Sequence, residues 1–322
     1  MSMYKGAKIL VAGGMGFVGI NLLQRLLSLG ANVRATIHKR SPIVNNEHVE
    51  YMQTDLTKPE DCRNAVEGMD YVFMCAANTS GASVMEKTPL VHLTPNLIMN
   101  ALMLEASHEA NVKKFLFISS NTVYPVTDQP AKENDVTNEF YEKYFIVAWM
   151  KRFSEIMCEM YATKIKKPMT TIIVRPANIY GPHDDFDWET SHVLPALIRR
   201  VVERHDPIMV WGDGLDIKDF IYIDDLVDGL LQAMEKINGH DFLNIASGKQ
   251  YVLKDLLNLM ISIDGYDGAV INFDASKPTM IPKRLIDTRK AKEILGFESK
   301  ISIAEGLRMT INWYKSFTTG NL

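Results

Sequence analysis

The stretch Lys8-Ile9-Leu10-Val11-Ala12-Gly13-Gly14-Met15-Gly16-Phe17-Val18-Gly19 decides how this chain folds. Ile9 to Ala12 form a short apolar run suited to a strand buried on both faces. Glycines recur at Gly13, Gly16 and Gly19, and Ile20-Asn21-Leu22-Leu23-Gln24-Arg25-Leu26-Leu27 follows with the apolar spacing of a helix. A strand feeding a helix through such a turn aims backbone N–H groups and the positive helix end at one spot. A pyrophosphate can sit there. Gly13 permits the tight turn, Gly16 lets phosphates approach the backbone, and Gly19 lets helix and strand pack closely. Phe17 and Val18 open the helix and join the glycines as cofactor-binding candidates. A glycine-rich turn without a ligand is the plainer alternative; its place between strand and helix favours a dinucleotide.

Beyond this turn, strand and helix signals alternate. Strands are expected at Val33 to Ile37, Glu50 to Thr54, Tyr71 to Cys75, Phe115 to Ile118 and Met169 to Val174. Helices are expected near Pro59 to Glu67, Pro95 to Ala110 and Tyr144 to Thr163. This order predicts an α/β fold, a doubly wound parallel sheet of Rossmann type with a smaller C-terminal substrate lobe. Ligands in such sheets bind at the carboxyl ends of strands. Asp55, Ala76-Ala77, Ser119-Ser120 and Arg175-Pro176 stand at such ends and are expected to converge. Residues 1–180 read as the dinucleotide-binding part, with a later return near 220–248, and residues 181–322 mainly as the lobe. Gly181-Pro182, Gly212-Asp213-Gly214 and Lys277-Pro278 punctuate that second region.

Composition narrows the possibilities. The 322 residues are 47% hydrophobic and 23% charged, with a formal net charge of −4. That balance suits a globule and argues for neither a nucleic-acid nor a membrane partner. No apolar run approaches the roughly 20 residues that span a bilayer, and Met1 to Ala7 holds no signal-peptide core. Cys62, Cys75 and Cys158 lack metal-ligand spacing and read as reduced residues of a cytoplasmic protein. The eight histidines are scattered, so no metal site is expected.

The second strand ends Ile37-His38-Lys39-Arg40, without the acid that would hold the ribose 2′-hydroxyl of NAD. His38 and Arg40 instead suit the 2′-phosphate of NADP, so NADP is favoured over NAD; a solvated basic turn is the alternative. At the third strand end, the Asp55 carboxylate, followed by Leu56, suits the adenine amino group, or simply caps the next helix.

Several stretches together resemble the extended short-chain dehydrogenases/reductases, the NAD-dependent epimerase/dehydratase family, and among them the epimerase-reductases of GDP-linked 4-keto-6-deoxyhexoses. Ser119-Ser120-Asn121-Thr122-Val123-Tyr124-Pro125 resembles the family's serine loop. Arg175-Pro176-Ala177-Asn178-Ile179-Tyr180-Gly181-Pro182-His183-Asp184-Asp185-Phe186 is similar to its strand-to-lobe junction. Ser191-His192-Val193-Leu194-Pro195, Val210-Trp211-Gly212-Asp213-Gly214, Phe273-Asp274-Ala275-Ser276-Lys277-Pro278 and Pro282-Lys283-Arg284-Leu285 extend the likeness over almost the whole chain. The resemblance implies a homodimer built on two long helices. It also implies a nucleotide-sugar substrate held by Asn178, His192, Val193, Arg200, Trp211, Lys218 and Arg284, with Ala76, Ala77 and Pro176 lining the cofactor.

It breaks at the catalytic pair. The family places a tyrosine four residues before a lysine, one helical turn apart, so that the lysine lowers the phenol's pKa and the phenol moves a proton. Lys151 matches the lysine, with Glu159 and Tyr161 at the family's spacing, but Val147 stands where the tyrosine belongs. Tyr144, seven residues before Lys151, is the nearest phenol. Tyr144, Ser120, Thr122 and water are the candidate replacements. His192 matches the family's acid, while Thr122 stands where its cysteine base would be. The expected function is oxidoreduction at C4 of a nucleotide-linked hexose or heptose, as a 4-dehydrogenase or 4-keto reductase. A C4 or C3/C5 epimerase, and a catalytically silent nucleotide-sugar or dinucleotide binder, are the alternatives.

Overall fold

The computed structural model describes residues 2–78, 88–277 and 279–320, so Pro278 of the Phe273–Pro278 motif, like Met1, lies outside the described residues. The strands run in chain order β1 (Lys8–Ala12), β2 (Asn32–Ile37), β3 (Val49–Gln53), β4 (Tyr71–Met74), β5 (Lys114–Ile118), β6 (Thr170–Pro176) and β7 (Asn178–Tyr180). They continue with β8 (Ile208–Trp211), β9 (Ile217–Lys218), β10 (Phe220–Tyr222), β11 (His240–Ile245), β12 (Tyr251–Val252), β13 (Ile271–Asp274) and β14 (Lys283–Arg284). Seven of them form one parallel sheet in the order β11-β6-β5-β4-β1-β2-β3. The doubly wound sheet expected from the alternation is therefore present, with β1 to β6 each within about two residues of its expected place and β11 within the later return near 220–248.

The apolar runs explain the layering. Ile9 and Val11 of β1 enter one core and Leu10 and Ala12 the other, because successive strand side chains point to opposite faces. The first core is covered by α1 (Phe17–Ser28), which buries Ile20, Leu22, Leu23 and Leu26. The opposite core is covered by α2 (Pro59–Val66), α3 (Thr94–Glu109) and α4 (Phe145–Thr163). Further on come α5 (Val193–Val202), α6 (Ile223–Lys236), α7 (Leu253–Asp264), α8 (Arg289–Leu295) and α9 (Ile303–Thr318). Helix α6 returns to the first core with Leu226, Val227 and Leu230.

Three small sheets stand beside the large one. β7 pairs with β10, β13 pairs with β8, and β9 lies between β12 and β14. Strands β9 and β14 end in Lys218 and Arg284, and the Arg284 guanidinium meets the carbonyls of Tyr124 and Pro125 in the loop that follows β5. Among the described residues no helix is long and apolar enough to cross a membrane.

Candidate active site

The glycine turn is held from β2. The Gly13 amide donates to Thr36 Oγ1 at 2.7 Å and the Gly14 amide to the Thr36 carbonyl at 2.9 Å. Gly13 has φ +81°, and a Cβ there would lie 2.7 Å from the Ala76 backbone. At Gly19 a Cβ would lie 2.1 Å from the Gly13 carbonyl oxygen, which is the close helix–strand packing the spacing predicts. Gly14 is just as constrained, since its Cβ would fall 2.6 Å from that of Ala35; the Gly13-Gly14 pair was the local signal for it.

Gly16 differs. It is the N-cap of α1, and a Cβ there would meet only the Gly13 carbonyl oxygen, at 3.3 Å. Its open side faces the first turn of α1, where the amides of Phe17 and Val18 have no partner within the helix. Backbone donors, a helix N-terminus and an open glycine face fit the diphosphate of a dinucleotide.

Around this cradle, His38, Lys39 and Arg40 are exposed beyond β2, and one Arg40 nitrogen donates to the Met15 carbonyl at 3.4 Å. The Arg40 guanidinium thus leans over the glycine turn. Asp55 accepts from the Thr57 hydroxyl at 2.6 Å and the Thr57 amide at 3.1 Å, bonds that hold its carboxyl below the usual range. Leu56 is buried beneath it, whereas Ala77 is exposed at the end of β4. Pro176 ends β6, and its carbonyl accepts from the Asn121 side chain at 3.0 Å, which ties the serine loop to that strand.

Lys151 lies on α4 and is nearly buried. Its Nζ donates to the Ile118 carbonyl at the end of β5 at 2.8 Å, and stands 5.0 Å from the centre of the Phe117 ring. Burial pulls its pKa down to about 8, against the opposing fields of Glu155 and Cys75. In the loop that follows β5, Ser120 Oγ accepts from the Thr122 amide at 3.2 Å and the Thr122 hydroxyl at 3.0 Å. Ser120 therefore keeps its own hydrogen for another acceptor.

Tyr144 does not share the regular helix with Lys151. It ends a short 3-10 turn, Glu142–Tyr144, that precedes α4. Its phenol lies among lobe residues, where the Ile281 backbone and Arg284 act on it, and burial pushes its pKa up to about 12. Val147 occupies the helical position one turn before Lys151.

Sequence reading missed the carboxylate behind the lysine. Glu155 stands one turn beyond Lys151 and is fully buried. It accepts from the Ser119 hydroxyl at 2.6 Å, from Arg175 Nε and a terminal Arg175 nitrogen at 2.7 Å each, and from Arg152 at 3.1 Å. The lysine-plus-four spacing was its only local signal. Tyr124 also packs under the loop, donating to the Asn244 side chain at 2.5 Å.

The lobe residues are distributed less evenly. His192 is the N-cap of α5, yet its side chain bonds no helix amide; desolvation pulls its imidazole below the ordinary range, with Asp185 opposing. Val193 begins the helix, and the Asn178 side chain donates to the Asp219 carbonyl at 2.9 Å. Trp211 is 39% exposed at the end of β8. Lys218 pairs with Asp216, two residues before it, at 2.8 Å. Arg200 lies 4.9 Å over the Trp188 ring and donates to the Ala196 carbonyl at 2.9 Å. Arg284 is 2% exposed and donates to the carbonyls of Pro125 at 2.8 Å and Tyr124 at 3.0 Å. These bonds fasten the serine loop to the lobe, so its bonded nitrogens face backbone rather than open space. Among the described residues no cluster of acids, histidines and cysteines is arranged to hold a metal.

Comparison with known proteins places this geometry. The model of the NAD dependent epimerase/dehydratase family matches residues 9–246. A probable GDP-L-fucose synthase 1 of Oryza sativa subsp. japonica is 34% identical over 96% of this chain and 92% of its own. The UDP-glucose 4-epimerase of Thermotoga maritima, solved with UDP-glucose, superposes with a TM-score of 0.86 at 28% identity, over 97% of this chain and 99% of its own. A GDP-6-OMe-4-keto-L-xylo-heptose reductase from C. jejuni superposes with a TM-score of 0.83 at 25% identity, over 98% and 100%. With the glycine cradle after β1, and the serine loop and a lysine at the end of β5, the chain belongs to the NAD-dependent epimerase/dehydratase family.

Proposed function

We propose that this protein is an NAD(P)-dependent oxidoreductase acting at C4 of a GDP-linked hexose or heptose. One observation carries the reading: Lys151 is bonded at the end of β5, the strand that leads into the loop of Ser120, whose hydroxyl hydrogen is uncommitted, and the glycine cradle of β1 lies two strands away in the same sheet. Bound NAD(P) supplies the hydride acceptor or donor. The chain has to hold the dinucleotide, aim the sugar's C4 oxygen and move one proton, and little else is needed for alcohol–ketone interconversion. Ser120 donates its free hydrogen to that oxygen and thereby orients it. The rice and C. jejuni relatives are both named for GDP-sugars, which favours guanosine over uridine. Among the described residues the Thr122 hydroxyl bonds Ser120 and no base, so abstraction of a carbon-bound proton lacks its group there.

Residues 1–180, with the later return, serve the dinucleotide, and residues 181–322 mainly serve the sugar nucleotide. The active form is a cytoplasmic homodimer. Its contact is the exposed apolar stripe of α4, namely Phe145, Trp149, Phe153 and Met160, with Ile98 of α3 beside it. Those residues recur at helical spacing on one face, and a second copy can cover them.

The test is direct. Purified protein is mixed with NADPH and a GDP-linked 4-keto-6-deoxyhexose, and cofactor absorbance is followed with mass analysis of the sugar. Oxidation of NADPH with formation of the 4-hydroxy sugar is expected. Unchanged cofactor with GDP-, UDP- and dTDP-linked 4-keto sugars alike would overturn the reading.

A further inference from the structure

Among the described residues the proton needed at C4 has no ordinary source. Val147 has none to give, and the Tyr144 phenol lies among Arg284 and the Ile281 backbone. Thr122 spends its hydroxyl hydrogen on Ser120. Ser120 has a hydrogen to donate, but among the described residues no carboxylate or imidazole is bonded to it to restore the proton. Lys151 is different. Its ammonium carries three hydrogens and commits one, to the Ile118 carbonyl at 2.8 Å.

We propose that the Lys151 ammonium itself gives the proton to, and takes it from, the C4 oxygen of the sugar, in place of the missing phenol. This rests on the C4 reading above. In the reducing direction a C–H bond forms at C4 as hydride arrives, and the carbonyl oxygen takes one N–H proton of Lys151. The ketone is reduced to the alcohol, the dinucleotide is oxidised, and the neutral amine regains its proton from water. Oxidation runs through the same positions in reverse.

The surroundings of Lys151 suit that exchange. Around it stand the Phe117 ring, the Ile118 carbonyl and the Cys75 thiol after β4, and Glu155 approaches from its own helix. Among the described residues Glu155 is the one carboxylate acting on it, and that charge is shared with Arg175 and Arg152. Desolvation therefore prevails and the lysine titrates near 8, where an acid–base group works well in neutral solution. A fully paired ammonium would hold its proton too tightly to return it.

The experiment combines a titration and two variants. Lysine labelled at Cε is followed by NMR in the NADP-bound protein, the Lys151 signal being assigned by its loss in Lys151→Arg. A midpoint near 8 is expected, and a midpoint above 10 would overturn the proposal. Arginine keeps the cation but does not release its proton near neutrality. Single-turnover NADPH oxidation should therefore fall by about 10²–10⁴-fold in Lys151→Arg, with dinucleotide affinity held within a few-fold. Tyr144→Phe should stay within a few-fold of the parent. A loss of a hundredfold in Tyr144→Phe, or near-parental turnover in Lys151→Arg, would assign the proton elsewhere. If the parent protein oxidises no NADPH with any 4-keto sugar, the C4 reading fails separately, and the Lys151 titration still decides whether the lysine is poised for exchange.

Discussion

Glu155 and Arg175 meet through two parallel bonds of 2.7 Å each, in a site sealed from solvent one helical turn beyond Lys151. Three elements converge on this pair: α4 brings the carboxylate, β6 the guanidinium, and the end of β5 the Ser119 hydroxyl. The serine loop and the lysine are thus set against each other by a buried ion pair. Glu155 also opposes the loss of charge on Lys151.

Replacing Glu155 by Gln should expose both roles. Removing one charge of a buried pair strands the other, at a cost of about 3–5 kcal/mol, so chemical denaturation should show a loss of that order. Because Glu155 raises the Lys151 pKa, its removal should move the lysine titration further below 8. A stable Glu155→Gln protein with an unmoved titration would contradict both expectations.

The glycines of the turn should separate by function. At Gly16 a side chain meets only one carbonyl, at 3.3 Å, so Gly16→Val should fold and yet fill the space for the diphosphate. At Gly19 the same change drives Cβ to 2.1 Å from a backbone oxygen, and Gly19→Val should fail to fold. Circular dichroism and dinucleotide titration decide. A Gly16→Val protein that binds NAD(P) like the parent would remove the cradle from the site.

Dinucleotide choice should follow the exposed basic run after β2. A charge-assisted bond to the 2′-phosphate contributes about 1.5–3 kcal/mol, which corresponds to roughly tenfold or more in affinity. Calorimetry should show NADP binding more tightly than NAD, with the difference much reduced in Arg40→Ala. Tighter binding of NAD by the parent protein would refute this expectation.

The parts of the molecule legible in the sequence are those whose cause is local. Glycine spacing placed the cradle, and alternation of apolar runs placed the strands, because a buried parallel strand needs a continuous run and its helix a repeat of three to four. The absence of a phenol at Val147 was equally plain. Where the reading ran out, the deciding contact joins distant residues. Arg284 looked like a free cation for phosphate, but its partners are carbonyls in a loop far earlier in the chain. Lys218 is the exception, since its neutralising partner Asp216 stands only two residues away. Tyr144 read as the first residue of a long helix, and the break in that helix comes from its packing against the lobe.

The stripe on α4 should govern assembly. Trp149 is 37% exposed and is flanked by Phe140 and Phe145, with ring centres at 5.1 and 6.4 Å. A charge there would oppose burial of the whole face. Light scattering should find a dimer for the parent and a monomer for Trp149→Asp. A monomeric parent would show that the stripe is covered by something other than a second copy.

The buried lysine should also leave a mark on stability. Its pKa falls from 10.5 in the unfolded chain to about 8 in the folded one. Between those values the unfolded chain binds more protons, so this group's contribution to stability rises with pH across that window. Below pH 8 both states are protonated and the cost of burying the ammonium is fully present. Integrated over the window, that cost is roughly 3 kcal/mol. Lys151→Met removes the titrating group while keeping an unbranched apolar side chain. Urea unfolding of the two proteins from pH 7 to 10.5 isolates the difference, because every other group titrates alike in both. The margin of Lys151→Met over the parent should be largest near pH 7 and should shrink steadily above pH 8. A margin independent of pH would mean that Lys151 keeps its ordinary affinity for the proton in the folded protein, and the ammonium would then be too weak an acid to serve at C4.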